Sequence, residues 1–475
     1  MSALPASRPV RRVAIAGGGL AAWMCAAHLA HHLPHDVSIT VAGPDGPARW
    51  DALYGFVLPP EVFAFHTGIG LDERDLIADT DTAFALGTEV SGWAGRSWVQ
   101  PFHLPLPVVG GVPAHLAVAQ DPDASLQPLL VSALAGQAGR FAHPPEDASH
   151  PLSRAEYGYQ VSPDTLAGTY RACAGRVVHA ASGIADVERT GDTVTALRLD
   201  TGERVEADIF IDATGPDACL AGQPAPERTV RVAYDERAHS GASLPTVARV
   251  TASDTGWTLS AATRVTSHRL AVGADDGDSV PIFRQAKAWS GNVVALGQAA
   301  CTVEPLTLAP MRLLLRDVQR LASLFPVTTD MRIERDAFNA KAMDDQDHAL
   351  IFHYAHFRAD GLPAGPVFAD AAAWSHPKLS RKWSQYAERG YLVSYDREPF
   401  FPLDWAVLMD GLGISPRRTD TLTAQADSGQ AGAQLSALAH AARGVVRAMP
   451  PHALYLSKFL DYIARTHHTD TRHAG

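Results

Sequence analysis

The stretch Val13-Ala-Ile-Ala-Gly17-Gly-Gly19-Leu-Ala-Ala22-Trp-Met-Cys-Ala-Ala-His-Leu29 decides the reading of the fold. Four apolar residues, Val13 to Ala16, predict a short buried strand. Three glycines then make a turn, and residues 21–32 predict a helix. The spacing Gly17-x-Gly19-x-x-Ala22 is a form of the dinucleotide fingerprint. Gly17 permits the tight turn, and Gly19 lets the backbone approach a pyrophosphate. Ala22 lets the helix pack close to the strand. The free N–H groups and dipole of the helix N-terminus complete an anion site.

Outward from this stretch, composition narrows the choices. A chain of 475 residues with 46% hydrophobic and 19% charged residues buries a large core and contains more than one substructure. Net charge is −11, with no basic run, which excludes nucleic acid as the expected partner. Cys25, Cys173, Cys219 and Cys301 are far apart and form no metal or disulfide pattern, which suits a reducing, cytoplasmic setting. Arg8, Arg11 and Arg12 precede an apolar stretch, as in a signal peptide, but the glycines interrupt it. No apolar run approaches the ~20 residues of a membrane span.

Residues 37–41 predict strand 2, whose end is expected to carry the ribose-binding acid; here Asp45 comes slightly late. Residues 82–93 alternate as one strand. Residues 159–174 predict an amphipathic helix opening at Ser162-Pro163-Asp164. Residues 177–211 predict a small meander, ending in Ile209-Phe-Ile-Asp212-Ala-Thr214-Gly215. Residues 246–250, 257–261 and 268–272 predict a second sheet. A further buried strand meets a glycine turn at Asn292-Val-Val-Ala-Leu-Gly297-Gln298, and residues 330–465 are mostly helical by pattern. The organisation expected is a dinucleotide-binding part at 1–330, with inserted substrate-region segments at about 47–160 and 220–290, and a helical cap at 331–475.

Three strand-to-glycine turns, near residues 17, 215 and 297, say more than any one of them. With the blocks around them, the chain resembles the flavin-dependent tryptophan halogenases from end to end. The residues that carry the resemblance are Gly17-Gly-Gly19-Leu-Ala-Ala22-Trp23-Met24, Ala207-Asp-Ile-Phe-Ile-Asp212-Ala-Thr-Gly215 and Cys301-Thr-Val-Glu304-Pro305-Leu306. The resemblance implies an α/β fold with an FAD-binding, glutathione-reductase-like (Rossmann-type) domain, a mixed β-sheet substrate region and a helical C-terminal part. It implies FAD, used as FADH2 from a separate flavin reductase. It also implies an aromatic substrate, small or peptide-borne, and a homodimer. The cofactor-binding residues expected are Gly17, Gly18, Gly19, Ala21, Ala22, Asp45, Thr214, Gly215, Gly297 and Gln298.

The departures from the family pattern carry as much information. Ala85 stands where the family has the lysine that guides hypohalous acid. Thr307 follows Glu304-Pro305-Leu306 where the family has a glutamate. Leu308-Ala309-Pro310 replaces the Ser-Thr-Gly whose backbone holds halide, and Pro310 has no N–H. Only Trp257 remains of the Trp-x-Trp-x-Ile-Pro signature, and the Gly-Val-Gly-Glu-Ala-Thr segment has no counterpart around residues 49–55. These losses favour oxygenation over halogenation. A halogenase with relocated groups and an inactive, accessory flavin-binding protein stand as alternatives. Candidate acid–base residues are Glu304, Glu61 and His103, with His66 and His115 beside them. His348, His353 and His356 share one predicted helix without a metal-ligand spacing, so no metal is expected.

Overall fold

The computed structural model describes residues 7–102, 107–121, 124–150, 152–239, 243–418 and 428–473. β1 (Arg12–Ala16) is buried along its apolar run, and α1 (Leu20–His32) buries every residue from Leu20 to Leu29. β2 (Ser38–Ala42) pairs with β1 in parallel. The central sheet has the order Val178–Ala180, β2, β1, Ile209–Asp212, Val293–Ala295 and Trp289–Ser290. All its pairings are parallel except the last. Near-continuous apolar strands such as Ile209–Asp212 suit a sheet covered on both faces. The α/β fold class implied by the resemblance is therefore present.

A second, mixed sheet of seven strands runs from Asp278–Ile282 to Arg96–Pro101. It contains the three strands expected around residues 246–272. The pairing of Ala248–Ala252 with Gly87–Trp93 is parallel. From Arg332 onward the described chain is helical, starting with the 24-residue helix Arg332–Ala355.

Three expected elements differ in detail. The strand expected over 82–93 is two strands, Ala83–Ala85 and Gly87–Trp93, in different sheets. Gly87 makes the break at φ +146°, where the backbone lies against Gln100 and Pro101 and leaves no room for a side chain. The helix expected from Tyr159 starts at Pro163, because residues 158–160 bridge Val57–Leu58 and Ala83–Ala85 as a strand. Val178–Ala180 leaves the meander to extend the central sheet, with Val178 opposite Thr40.

Candidate active site

Ligands of open α/β sheets sit beyond the carboxyl ends of the strands. Three adjacent strands, β1, Ile209–Asp212 and Val293–Ala295, deliver Gly17–Gly19, Gly215 and Gly297 to that edge. One short segment, residues 48–54, meets all three turns. A Cβ on Gly19 would collide with Ala48 and with the Asp51 carboxylate. A Cβ on Gly215 would lie 3.0 Å from the Trp50 ring, and one on Gly297 would lie 2.6 Å from the Tyr54 hydroxyl.

Polar contacts tie the same segment down. Leu20 N–H, in the first turn of α1, donates to Asp51 Oδ2 at 2.9 Å. Trp50 Nε1–H donates to Asp217 at 2.8 Å, and Arg49 stacks over Trp50 and reaches Asp278 at 2.7 Å. Gln298 donates from Nε2 to Leu53 O at 2.7 Å and from its backbone N–H to Tyr54 Oη at 3.2 Å. Trp50, Asp51, Ala52, Leu53 and Tyr54 are all buried. Burial pushes the Asp51 carboxyl up to about 7, with Asp164 adding to the rise and the Leu20 and Ala48 N–H groups opposing it.

The remaining expected cofactor residues have partners within the protein. Gly17 N–H donates to Ala42 O at 2.8 Å. Gly18 abuts the backbone of Pro44. Ala21 and Ala22 are buried in α1. Asp45 pairs with Arg171 at 2.7 Å and lies 3.4 Å from His179. Thr214 donates to Asp212 at 2.6 Å, and Asp212 also accepts from the backbone of Leu220 and Ala221 at 2.8 Å. Gly297 N–H donates to Asp317 at 3.1 Å.

Glu304 is fully enclosed. Its carboxylate lies 2.5 Å from Arg228 Nη2 and 3.5 Å from His353 Nε2. Burial pushes its pKa up, but the Arg228 charge and His353 overcome this and hold it at about 2. Glu304 is thus an ionised partner in a buried triad rather than a base near neutrality. Glu61, the residue that precedes the helix Val62–Gly68, sits 3.2 Å from Arg312. His66 bonds Tyr170 Oη at 2.9 Å, and burial lowers its pKa to about 4. His115 faces Gly390 O at 3.3 Å. His103 lies outside the described residues.

Ala85 is buried on a strand opposite Gly158, and its methyl offers neither charge nor proton. Thr307 Oγ1 accepts from Ala309 N–H at 3.2 Å, at the start of Ala309–Ser323. The cavity beside Thr307 measures about 30 Å³. Phe352 stacks on Phe400 at 3.9 Å and Arg312 lies over Phe400 at 4.7 Å, which fills the surrounding space.

Comparison with known proteins assigns this arrangement. The family model described as "Tryptophan halogenase" matches residues 12–268 and 260–428. The chain belongs to the tryptophan halogenase family. Solved structures agree on the fold. BrvH, a flavin-dependent halogenase from Brevundimonas sp. BAL3, superposes with a TM-score of 0.83 at 24% identity, covering 95% of this chain and 99% of its own. SttH, a tryptophan 6-halogenase from Streptomyces toxytricini, gives a TM-score of 0.80 at 19% identity, with 95% and 100% coverage. A tryptophan halogenase from Shewanella frigidimarina gives 0.79 at 17%, with 96% and 98%.

Flavin is the cofactor of the tryptophan halogenase family, so its fit to this member can be tested. The pyrophosphate position at the N-terminus of α1 holds the Asp51 carboxylate. The other two turns hold Trp50 and Tyr54. Beside the fingerprint remains a cavity of about 190 Å³ lined by Gly18, Trp23, Asp45 and Arg171. Sites for drug-sized ligands begin at about 300 Å³. FAD enters the crevice only where Trp50, Asp51 and Tyr54 move aside. The missing glycine-rich segment at 49–55 is legible in the sequence; the placement of Trp50, Asp51 and Tyr54 in the crevice is not. Nor is the pairing of Glu304 with Arg228, 76 residues away.

Proposed function

We propose that this chain is a non-halogenating, non-catalytic member of the tryptophan halogenase family that serves as an accessory subunit to an active relative. The directing lysine and glutamate are replaced by Ala85 and Thr307, with a cavity of about 30 Å³ beside Thr307, and Trp50, Asp51 and Tyr54 stand in the crevice; the last of these carries the non-catalytic reading. Halogenation needs a halide held near the oxidant and a cation or acid to direct the electrophile. Neither residue supplies one. The cavity holds about one water, whereas ligand sites run from about 300 Å³ upward.

On this reading the flavin reductase and the aromatic substrate belong to the active relative. The protein works in the cytoplasm; no helix among the described residues is long and apolar enough to cross a membrane. One observation favours the oxygenase alternative: the cavity of about 190 Å³ beside Gly18 and Asp45 keeps space where a ribose contact was expected.

The test supplies the protein with FAD, a flavin reductase, NADH and oxygen, and offers tryptophan or a tryptophan-containing peptide with and without bromide. Mass spectrometry should find no product above the protein-free control. A bromide-dependent product would establish a halogenase with relocated groups. A product heavier by one oxygen would establish the oxygenase.

A further inference from the structure

We propose that residues 47–55 are a built-in occupant of the dinucleotide crevice, with Asp51 in place of the pyrophosphate and Trp50 and Tyr54 closing the other two glycine turns. The inference deepens the reading above and rests on its account of the crevice.

The contacts are distributed along the segment as an occupant's would be. Asp51 presents an oxygen to Leu20 N–H, one of the free donors that a helix N-terminus offers to an anion. Tyr54 places its hydroxyl against Gly297 and accepts from Gln298 N–H. Trp50 covers Gly215 and is anchored through its indole N–H to Asp217. The outer end is clamped by Arg49 to Asp278, on the second sheet. The inner end turns at Gly55, with φ +77° and ψ −171°, a conformation open essentially to glycine alone. A loop resting passively on the crevice would need neither a glycine-only turn nor a contact at each of Gly19, Gly215 and Gly297.

Gly19, Gly215 and Gly297 give the segment the clearance that a bound dinucleotide also needs. Cutting the segment's side chains back should therefore reopen the crevice to a dinucleotide. A ligand that binds only an open form has its apparent affinity reduced by the fraction of molecules that are open.

The probe is oxidised FAD, titrated by quenching of its own fluorescence into the wild-type protein and into a Trp50→Ala/Asp51→Ala/Tyr54→Ala variant. The variant is expected to bind FAD at least about 100-fold more tightly than wild type. A folded variant that binds no better than wild type would overturn the proposal. Hydrogen exchange on wild type gives an independent reading should the triple variant fail to fold. The amides of Leu20 and Gln298 should stay equally protected with and without 100 µM FAD, a concentration chosen for the test. A change in their protection on adding FAD would overturn the occupant. Wild type that binds FAD tightly but yields no oxidised or halogenated product would remove this proposal alone. Product formation would remove the accessory reading as well.

Discussion

Glu304 shows how a single residue can change meaning between sequence and structure. In the sequence it stands three residues before Thr307, the position of the family's glutamate; in the fold it is locked against Arg228 and His353. Removing one partner of a buried ion pair leaves an uncompensated charge and costs about 3–5 kcal/mol. Arg228→Ala should therefore lose about that much stability in urea denaturation. The pH dependence has a definite sign. Burial raises the Glu304 pKa, Arg228 and His353 outweigh it, and the folded value of about 2 lies below the ordinary 4.5. The stability it contributes is present above pH 4.5 and is lost as pH falls through about 2. Glu304→Gln should flatten that part of the stability profile. Asp51 has the opposite sign. Its folded value of about 7 lies above the ordinary 3.8, through burial first and Asp164 second. Its contribution is full below pH 3.8 and is lost as pH rises through 7. The groups facing it are the N–H groups of Leu20 and Ala48, Asp164 and Tyr54. Asp51→Asn should thus lose the decline in stability that wild type shows between about pH 4 and 8.

Among the elements, the segment 47–55 decides what the crevice can hold. Trp50 is 8% exposed, and truncating a core tryptophan to alanine costs about 3–5 kcal/mol. Trp50→Ala should cost about 3 kcal/mol of stability, measured by thermal or urea unfolding, if the ring is packed as described. Gly55→Ala should cost about 1–3 kcal/mol, because its φ and ψ fall in a glycine region. Both the departure and its composition were legible in the sequence: Arg49-Trp50-Asp51-Ala-Leu-Tyr54 stands where a glycine-rich segment was expected. Its destination was not, because contacts with Gly19, Gly215 and Gly297 span about the first two-thirds of the chain and no local pattern encodes them. The break at Gly87 was hidden for a related reason. Alternation of period two continues through it, while the strand changes sheets.

At the scale of the whole molecule, the fold was readable because its signals repeat. Three apolar strands each ending in a glycine turn imply one parallel sheet, and the Cys301-to-Leu306 block narrows the family. The family match and the superpositions agree with that reading over nearly the whole chain. The candidate site was less readable, since it is defined by which side chains have entered a cleft rather than by which motifs survive. Two features meet in this chain: Ala85 and Thr307 stand where the family has its directing groups, and Trp50, Asp51 and Tyr54 fill the space between α1 and the turns at Gly215 and Gly297. Calorimetric titration of the full chain with oxidised FAD at pH 7 and 25 °C tests their common consequence most directly. The account predicts no binding heat at concentrations up to about 100 µM. A stoichiometric isotherm with a micromolar or tighter Kd, worth about 8 kcal/mol or more, would contradict it.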